Sequence, residues 1–205
     1  RSTSLGSLLA RFHSTPNIPS IHSFVSYPDK TDPQYIVMGN ENLTMGRSNT
    51  LVAWYWRNFV QDGEKGKRTR TLSAHLLYSR QQNGVANFTT YNRKTGVVTI
   101  QPVNVSGNWN GKVNIGFSSP IDIAQHWWLE LLAETSLLRT KTFLGTNEQG
   151  VNSRQVNDNL LSSHSLNITP RLRLASFDYS LTYQLTLESN KGTYASANHT
   201  GPWQH

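Results

Sequence analysis

Ser176-Phe177-Asp178-Tyr179-Ser180-Leu181-Thr182-Tyr183-Gln184-Leu185-Thr186-Leu187-Glu188 alternates without a break. Phe177, Tyr179, Leu181, Tyr183, Leu185 and Leu187 occupy one parity, and the other is wholly polar. Successive side chains of a β-strand point to opposite faces, so this segment predicts a strand with one greasy and one hydrophilic face. One such strand is common in soluble sandwiches. Repetition at about 9–11 residues, the length of a tilted membrane-crossing strand, is what separates a membrane β-barrel from a sandwich.

The repetition is present. From Asn108 to Ser118, Trp109, Gly111, Val113, Ile115 and Phe117 alternate with Asn108, Asn110, Lys112, Asn114, Gly116 and Ser118. Aromatics stand at both ends of that apolar row, as in the interfacial girdles of barrels. Leu166, Ile168, Leu172 and Leu174 oppose Ser165, Asn167, Thr169, Arg171 and Arg173, so the polar side is cationic there. Leu72, Ala74, Leu76 and Tyr78 oppose Thr71, Ser73, His75 and Ser79, with Leu77 as the exception. Trp127, Leu129, Leu131 and Ala133 oppose Trp128, Glu130, Leu132 and Glu134, which puts two acids on one face.

Composition agrees with this pattern. Of 205 residues, 36% are hydrophobic, and the mean hydropathy is −0.50. A barrel with a wet lumen needs apolar residues only outside and is hydrophilic on average. No run approaches the roughly 18 apolar residues of a membrane helix. Cysteine is absent, which excludes disulfides, thiolate metal sites and cysteine nucleophiles. No signal peptide is visible at Arg1, so a segment of a longer polypeptide, or a mature chain whose beginning is missing, is expected. The net charge of +7 raises nucleic acid as a partner. The densest basic group, Glu64, Lys65, Lys67, Arg68 and Arg70, reads better as a solvated turn at a membrane surface, so no nucleic acid is expected and outer-membrane lipid is.

Connection lengths alternate. Long ones are expected at Ser26–Arg47, Gln81–Ser106 and Thr140–Asn157, and short ones at Gln61–Arg70, Pro120–Gln125 and Ala175–Ser176. That asymmetry gives an antiparallel up-and-down order: Thr50–Phe59 descends, Thr71–Ser79 rises, Asn108–Ser118 descends, Trp127–Thr135 rises, Leu160–Leu174 descends and Ser176–Glu188 rises. Within Gln81–Ser106, Phe88–Tyr91 and Val97–Val105 flank Asn92-Arg93-Lys94-Thr95-Gly96 as a hairpin. A further short strand is placed at Leu5–Phe12. The expected fold is an all-β, antiparallel up-and-down transmembrane β-barrel, residues 1–205 forming one segment of it. Unpaired edges are not tolerated in hydrocarbon, so the strands must close or meet others.

Ile18-Pro19-Ser20-Ile21-His22-Ser23-Phe24, followed by Asp32-Pro33-Gln34-Tyr35-Ile36 and Gly39-Asn40-Glu41-Asn42-Leu43-Thr44-Met45-Gly46, resembles the Bacteroidota outer-membrane β-barrel family related to TonB-dependent receptors. That family has a Pro-Ser-Ile segment and then G-N-P-x-L-K-P-E; here Gly39, Asn40 and Leu43 match, whereas Glu41, Thr44, Met45 and Gly46 depart. Gln101-Pro102-Val103-Asn104-Val105-Ser106-Gly107-Asn108-Trp109 is similar to its segment entering a descending strand. The likeness covers most of the chain from Ser14 onward. It implies a bacterial outer-membrane protein with about twenty-two strands around a plug, of which this chain is the C-terminal part. It also implies the missing plug and remaining strands, TonB and a surface lipoprotein as partners, and uptake of a glycan, peptide or metal chelate.

Candidate site residues follow from the faces. Lys112, Glu130, Glu134, Arg171 and Arg173 are lumen-facing candidates. Glu130 and Glu134 lie roughly 13 Å apart along a strand, too far for a catalytic carboxylate pair. They are expected to pair with Lys112 on one side and the arginines on the other. Asn40, Asn42, Arg93 and Lys94 are extracellular-loop candidates. His75, His126 and His164 lack ligand spacing, so no metal, cofactor or catalytic residue is assigned and no enzyme is expected. Trp127, and Trp54 or Trp56, read as interface anchors. The rival readings are a plugless structural or secretion-associated barrel subunit of an envelope complex and a soluble carbohydrate-binding module.

Overall fold

A computed structural model describes residues 6–25, 28–63, 66–148 and 151–193. Glu64 and Lys65 lie outside them. The chain is almost wholly β: β1 (Ser7–Asn17), a short helix α1 (Ile21–Phe24), β2 (Asp29–Asp32), β3 (Tyr35–Val37), β4 (Gly46–Gly63), β5 (Gly66–Gln82), β6 (Gly84–Tyr91), β7 (Val98–Val105), β8 (Trp109–Pro120), β9 (Trp127–Glu148), β10 (Val151–Leu174), β11 (Phe177–Ser180) and β12 (Tyr183–Gly192). All twelve strands belong to one sheet.

Its main body runs β1-β4-β5-β8-β9-β10, followed by β11 and β12, and every neighbouring pair in it is antiparallel. The expected rise and fall of the strands is therefore the order seen. At one end a second arm leaves β9. There β6 pairs in parallel with Phe143–Thr146, followed by β7, β3 and β2, with β3 parallel to β7. The sheet is thus mixed, not purely antiparallel. β9 outruns β8 by about ten residues, and the vacant length of its edge is filled by the hairpin that precedes β8.

The sheet is open among the described residues and does not close into a barrel; the expectation was one segment of a larger barrel. Among the described residues β1 pairs with β4 alone, and β11 and β12 pair with β10 alone. Other boundaries also differ. The first strand spans Ser7–Asn17 instead of Leu5–Phe12. Thr140–Asn157, expected as a loop, is mostly the outward extension of the β9–β10 hairpin. That stretch is mostly polar, and its apolar residues Phe143, Leu144, Val151 and Val156 fall on both parities, so no alternation marks it as strand. Gln61–Arg70 is largely strand as well, with β4 running to Gly63 and β5 starting at Gly66.

The strand expected at Ser176–Glu188 is interrupted at Leu181 and Thr182. The cause sits on the neighbouring strand. Pro170 has no N–H to donate, yet its carbonyl still accepts from Leu181 N at 3.2 Å. Register survives the gap, since Arg171 faces Ser180 and Ile168 faces Tyr183.

The register aligns the apolar residues across the whole body. One row reads Leu8, Tyr55, Ala74, Ile115, Ala133, Leu166 and Leu185 from edge to edge. The row beside it toward the turns of β4–β5 and β8–β9 reads Arg57, Leu72, Phe117, Leu131, Ile168 and Tyr183. Among the described residues no second layer covers this face: Ile115 is 47% and Leu185 64% exposed. Among the described residues the buried apolar side chains are Leu43, Val105 and Phe143, all at the end that carries the second arm.

Candidate functional site

The opposite face carries the polar side chains, and the register brings most of the charged candidates together. Lys112 Nζ meets Glu134 Oε1 at 2.8 Å across β8 and β9. The Asn114 amide, oriented to donate, reaches Glu134 Oε2 at 3.1 Å. In the same row His75 stacks on Trp54 with ring centroids 5.5 Å apart. Nearer the short turns, Arg171 Nε donates to Asp178 Oδ1 at 2.7 Å, and its Nη1 lies 3.7 Å from Glu130. Arg173 covers the Trp128 ring at 5.0 Å and approaches Asp178 at 3.9 Å. Glu130 and Glu134 are each engaged by a cation on a neighbouring strand, Glu134 on one side and Glu130 on the other.

Among the described side chains of this face, Arg11, Lys112, Arg171 and Arg173 are matched by Glu130, Glu134, Asp178 and Glu188. The wall is polar and charge-balanced. Such exposed pairs contribute about 0–1 kcal/mol each, so they order side chains more than they hold the sheet. Sequence reasoning missed Asp178, whose parity with Arg173 across the tight Ala175–Ser176 turn was the available signal. Trp54 and Trp56 stand on this polar face, not among the apolar rows where an interfacial anchor belongs. Trp127 lies at the end of the apolar face, 48% exposed.

The second cluster lies at the end with the long connections, and it joins the three sequence motifs. The Gly39 N–H donates to Val25 O at 3.0 Å, and Asn40 N donates to Ser23 O at 2.7 Å, which docks the Pro19–Phe24 segment. A Cβ on Gly39 would stand 2.1 Å from Val25 O, so only glycine permits this approach. Asn40 Nδ2 donates to Pro102 O at 2.9 Å, and Gln101 Nε2 donates to Gly39 O at 3.2 Å. Asn104 completes the knot. Its Oδ1 accepts from Thr44 N at 2.8 Å while its Nδ2 donates to Thr44 O and Asn83 O. The side chain thus acts as one residue of a strand pair, beside buried Leu43 and Val105.

Asn40 is therefore a structural bracket, and it also holds Asn42 N through its Oδ1 at 3.0 Å. Asn42 is exposed beside it. Arg93 and Lys94 sit on the β6–β7 turn, where Asn92 Oδ1 accepts from Lys94 N and Thr95 N and Gly96 takes φ +74°. The structure brings Asn40 and Asn42 together and leaves Arg93 and Lys94 at a separate tip.

At the other end, the β8–β9 connection is organised by Asp122, which accepts from Trp127 N at 2.7 Å and His126 N at 3.2 Å. Desolvation pushes the Asp122 carboxyl up, but those two N–H groups, its own N–H and the nearby His126 ring outweigh it. The net shift is downward. His75 and His164 are far from this turn in the sheet, and among the described residues no group of three metal-binding side chains gathers.

Comparison with family models, curated proteins and solved structures finds no significant match to this chain. No described helix is long and apolar enough to cross a membrane, which says nothing of crossing by strands.

Proposed function

We propose that this chain is a segment of an outer-membrane β-barrel, its apolar rows turned to lipid, its polar face turned to an aqueous lumen, and its two free edges continued by further strands. The observation that carries the reading is the continuous apolar row from Leu8 to Leu185 with no layer over it. A water-exposed protein rarely presents a contiguous apolar patch beyond a few hundred Å². In lipid the same surface is solvated. The charge-balanced face fits a water-filled interior, where ions need not be desolvated.

The transport part of the reading is that of a TonB-dependent-receptor-like protein taking up a glycan, peptide or metal chelate. Its support is the likeness of the Pro19–Phe24, Gly39–Leu43 and Pro102–Trp109 segments, together with their convergence in one knot at the end with the long connections. The lack of cysteine makes the topology directly testable. Single cysteines at Ile115, Leu166 and Leu185 resist a water-soluble maleimide in membranes, while cysteines at Asn114, Ser165 and Thr186 react. Equal reactivity on both parities refutes the membrane reading. Uptake abolished by a protonophore tests the energised-transport part separately.

A further inference from the structure

The polar face is charge-balanced, so the surplus of positive charge must lie elsewhere. It lies on the apolar face, at both limits of the apolar band. Toward the short turns stand Arg57, Arg68 and Arg70. At the opposite limit, one row reads Ser14, Asn49, Arg80, Trp109, Arg139, Leu160 and Lys191, with Arg47 and Lys141 one step beyond. Residues distant in sequence become neighbours through register alone.

In this belt five cations, Arg47, Arg80, Arg139, Lys141 and Lys191, face a single carboxylate, Asp158. Asp158 is occupied by Arg139, whose Nε donates to it at 2.8 Å. Among the described residues Arg80 and Lys191 have no ion-pair partner, while Lys141 faces Asp158 and, after Arg139, helps hold its carboxyl below the usual range. Arg80 and Lys191 stand on strands about 19 Å apart, so the charge forms a band, not a point. Like charges gathered this way repel unless an anion lies among them. Between them is a groove of about 460 Å³ floored by Trp109 and Leu160 and edged by Arg139, Asp158 and Lys191. Below it the face continues as Tyr78, Val113 and Leu137. A site with cations at the rim and a mainly apolar face beneath, interrupted by Ser162, Ser189 and the Thr135–His164 pair, is complementary to an amphiphile with an anionic head.

We propose that this belt binds the phosphate headgroups of membrane lipids, with the acyl chains lying along the apolar rows below. The inference rests on the membrane reading and adds the chemistry of the lipid partner and where it is held. Arg80 and Lys191 supply free charge, Arg139 is held in place by Asp158, and Trp109 packs against the glycerol level of the lipid.

The test uses the full-length protein reconstituted in bilayers of phosphatidylcholine alone or mixed with phosphatidylglycerol, with retained lipid measured by native mass spectrometry. Wild-type protein enriches phosphatidylglycerol. Arg80→Gln with Lys191→Gln lowers the enrichment by roughly fivefold per cation removed, whereas Arg80→Lys with Lys191→Arg and the polar-face variant Lys112→Gln keep it. Excess inorganic phosphate leaves the lipid bound. Unchanged enrichment in the double glutamine variant, or displacement by phosphate alone, overturns the inference. A protein that enters both bilayers yet enriches no phosphatidylglycerol overturns this inference alone, and one that enters neither overturns the membrane reading with it.

Discussion

On the membrane reading proposed above, Ile115→Arg is the sharpest perturbation of the apolar face, because the cations on β5 set a depth scale. Arg70 and Arg80 bracket Leu72, Ala74, Leu76 and Tyr78 on one face of that strand. Ten residues at about 3.4 Å each span ~34 Å along the strand, or ~26 Å across a bilayer at a tilt of about 40°. That equals the roughly 25 Å apolar band of outer-membrane barrels. Ile115 faces Ala74, one residue from the midpoint. An arginine at mid-depth costs about 2–4 kcal/mol, which is a loss of ~30-fold to ~700-fold in the folding equilibrium. Ser119→Arg, on the same face near the Arg70 limit, costs about 0–1 kcal/mol. Asn114→Arg turns the other way, beside Glu134, and changes stability by no more than ~0.5 kcal/mol. The assay is urea titration of the full-length protein folded into phospholipid vesicles, read by the tryptophan emission that accompanies insertion. A cost at Asn114 equal to that at Ile115, or no difference between Ile115 and Ser119, refutes the assignment of faces and depth.

Asn104→Ala strips four hydrogen bonds from the knot and leaves Thr44 and Asn83 backbone groups unpaired, at a cost of about 1–3 kcal/mol, which hydrogen exchange at Thr44 reads directly; Asn104→Asp, able to accept but not donate, rescues only part. Gly39→Ala forces the Val25 backbone away, so limited proteolysis cuts the Pro19–Val25 segment faster than in the parent while the main sheet stays protected. Lys112→Met changes stability by less than about 1 kcal/mol, and a double-mutant cycle with Glu134→Gln measures the coupling. Asp122 is ionised more readily folded than unfolded, so its contribution is complete above the unfolded value of roughly 3.9 and is lost as pH falls through the lower folded value. Asp122→Asn removes that part of the acid dependence, read as exchange protection of the Trp127 N–H across pH 2–5.

Period-two alternation made the faces of β5, β8, β9, β10 and β12 legible, because each strand buries or exposes a whole parity at once. Where both parities are alike, sequence alone fell short. Residues 140–157 are mostly polar, with Phe143, Leu144, Val151 and Val156 in no sustained alternation, and read as loop, although the hairpin simply continues beyond the apolar band. Trp54, Tyr55 and Trp56 are consecutive aromatics, and only the pairing of Ala53 with Leu76 shows that Tyr55 belongs to the apolar row. The pairing of Glu134 with Lys112 followed from strand order. Asp178 carried a signal in its parity with Arg173 across a tight turn, whereas Asp158 needed the register itself, as did the belt of Arg80, Arg139 and Lys191. Asn40 and Asn104 are prominent in the sequence as motif positions, but their work in tying three segments together is a tertiary fact.

The directions of the strands carry a consequence of their own. Counting β11 and β12 as one interrupted strand, the main body has seven members alternating up and down, so its first and last, β1 and β12, point the same way. Joined to each other they would meet as a parallel seam. A second copy inserted in the same sense offers the same two headings and fares no better. If the chain belongs to a barrel as proposed, antiparallel closure demands an odd number of intervening strands beyond the described ones, which gives the even total of bacterial barrels.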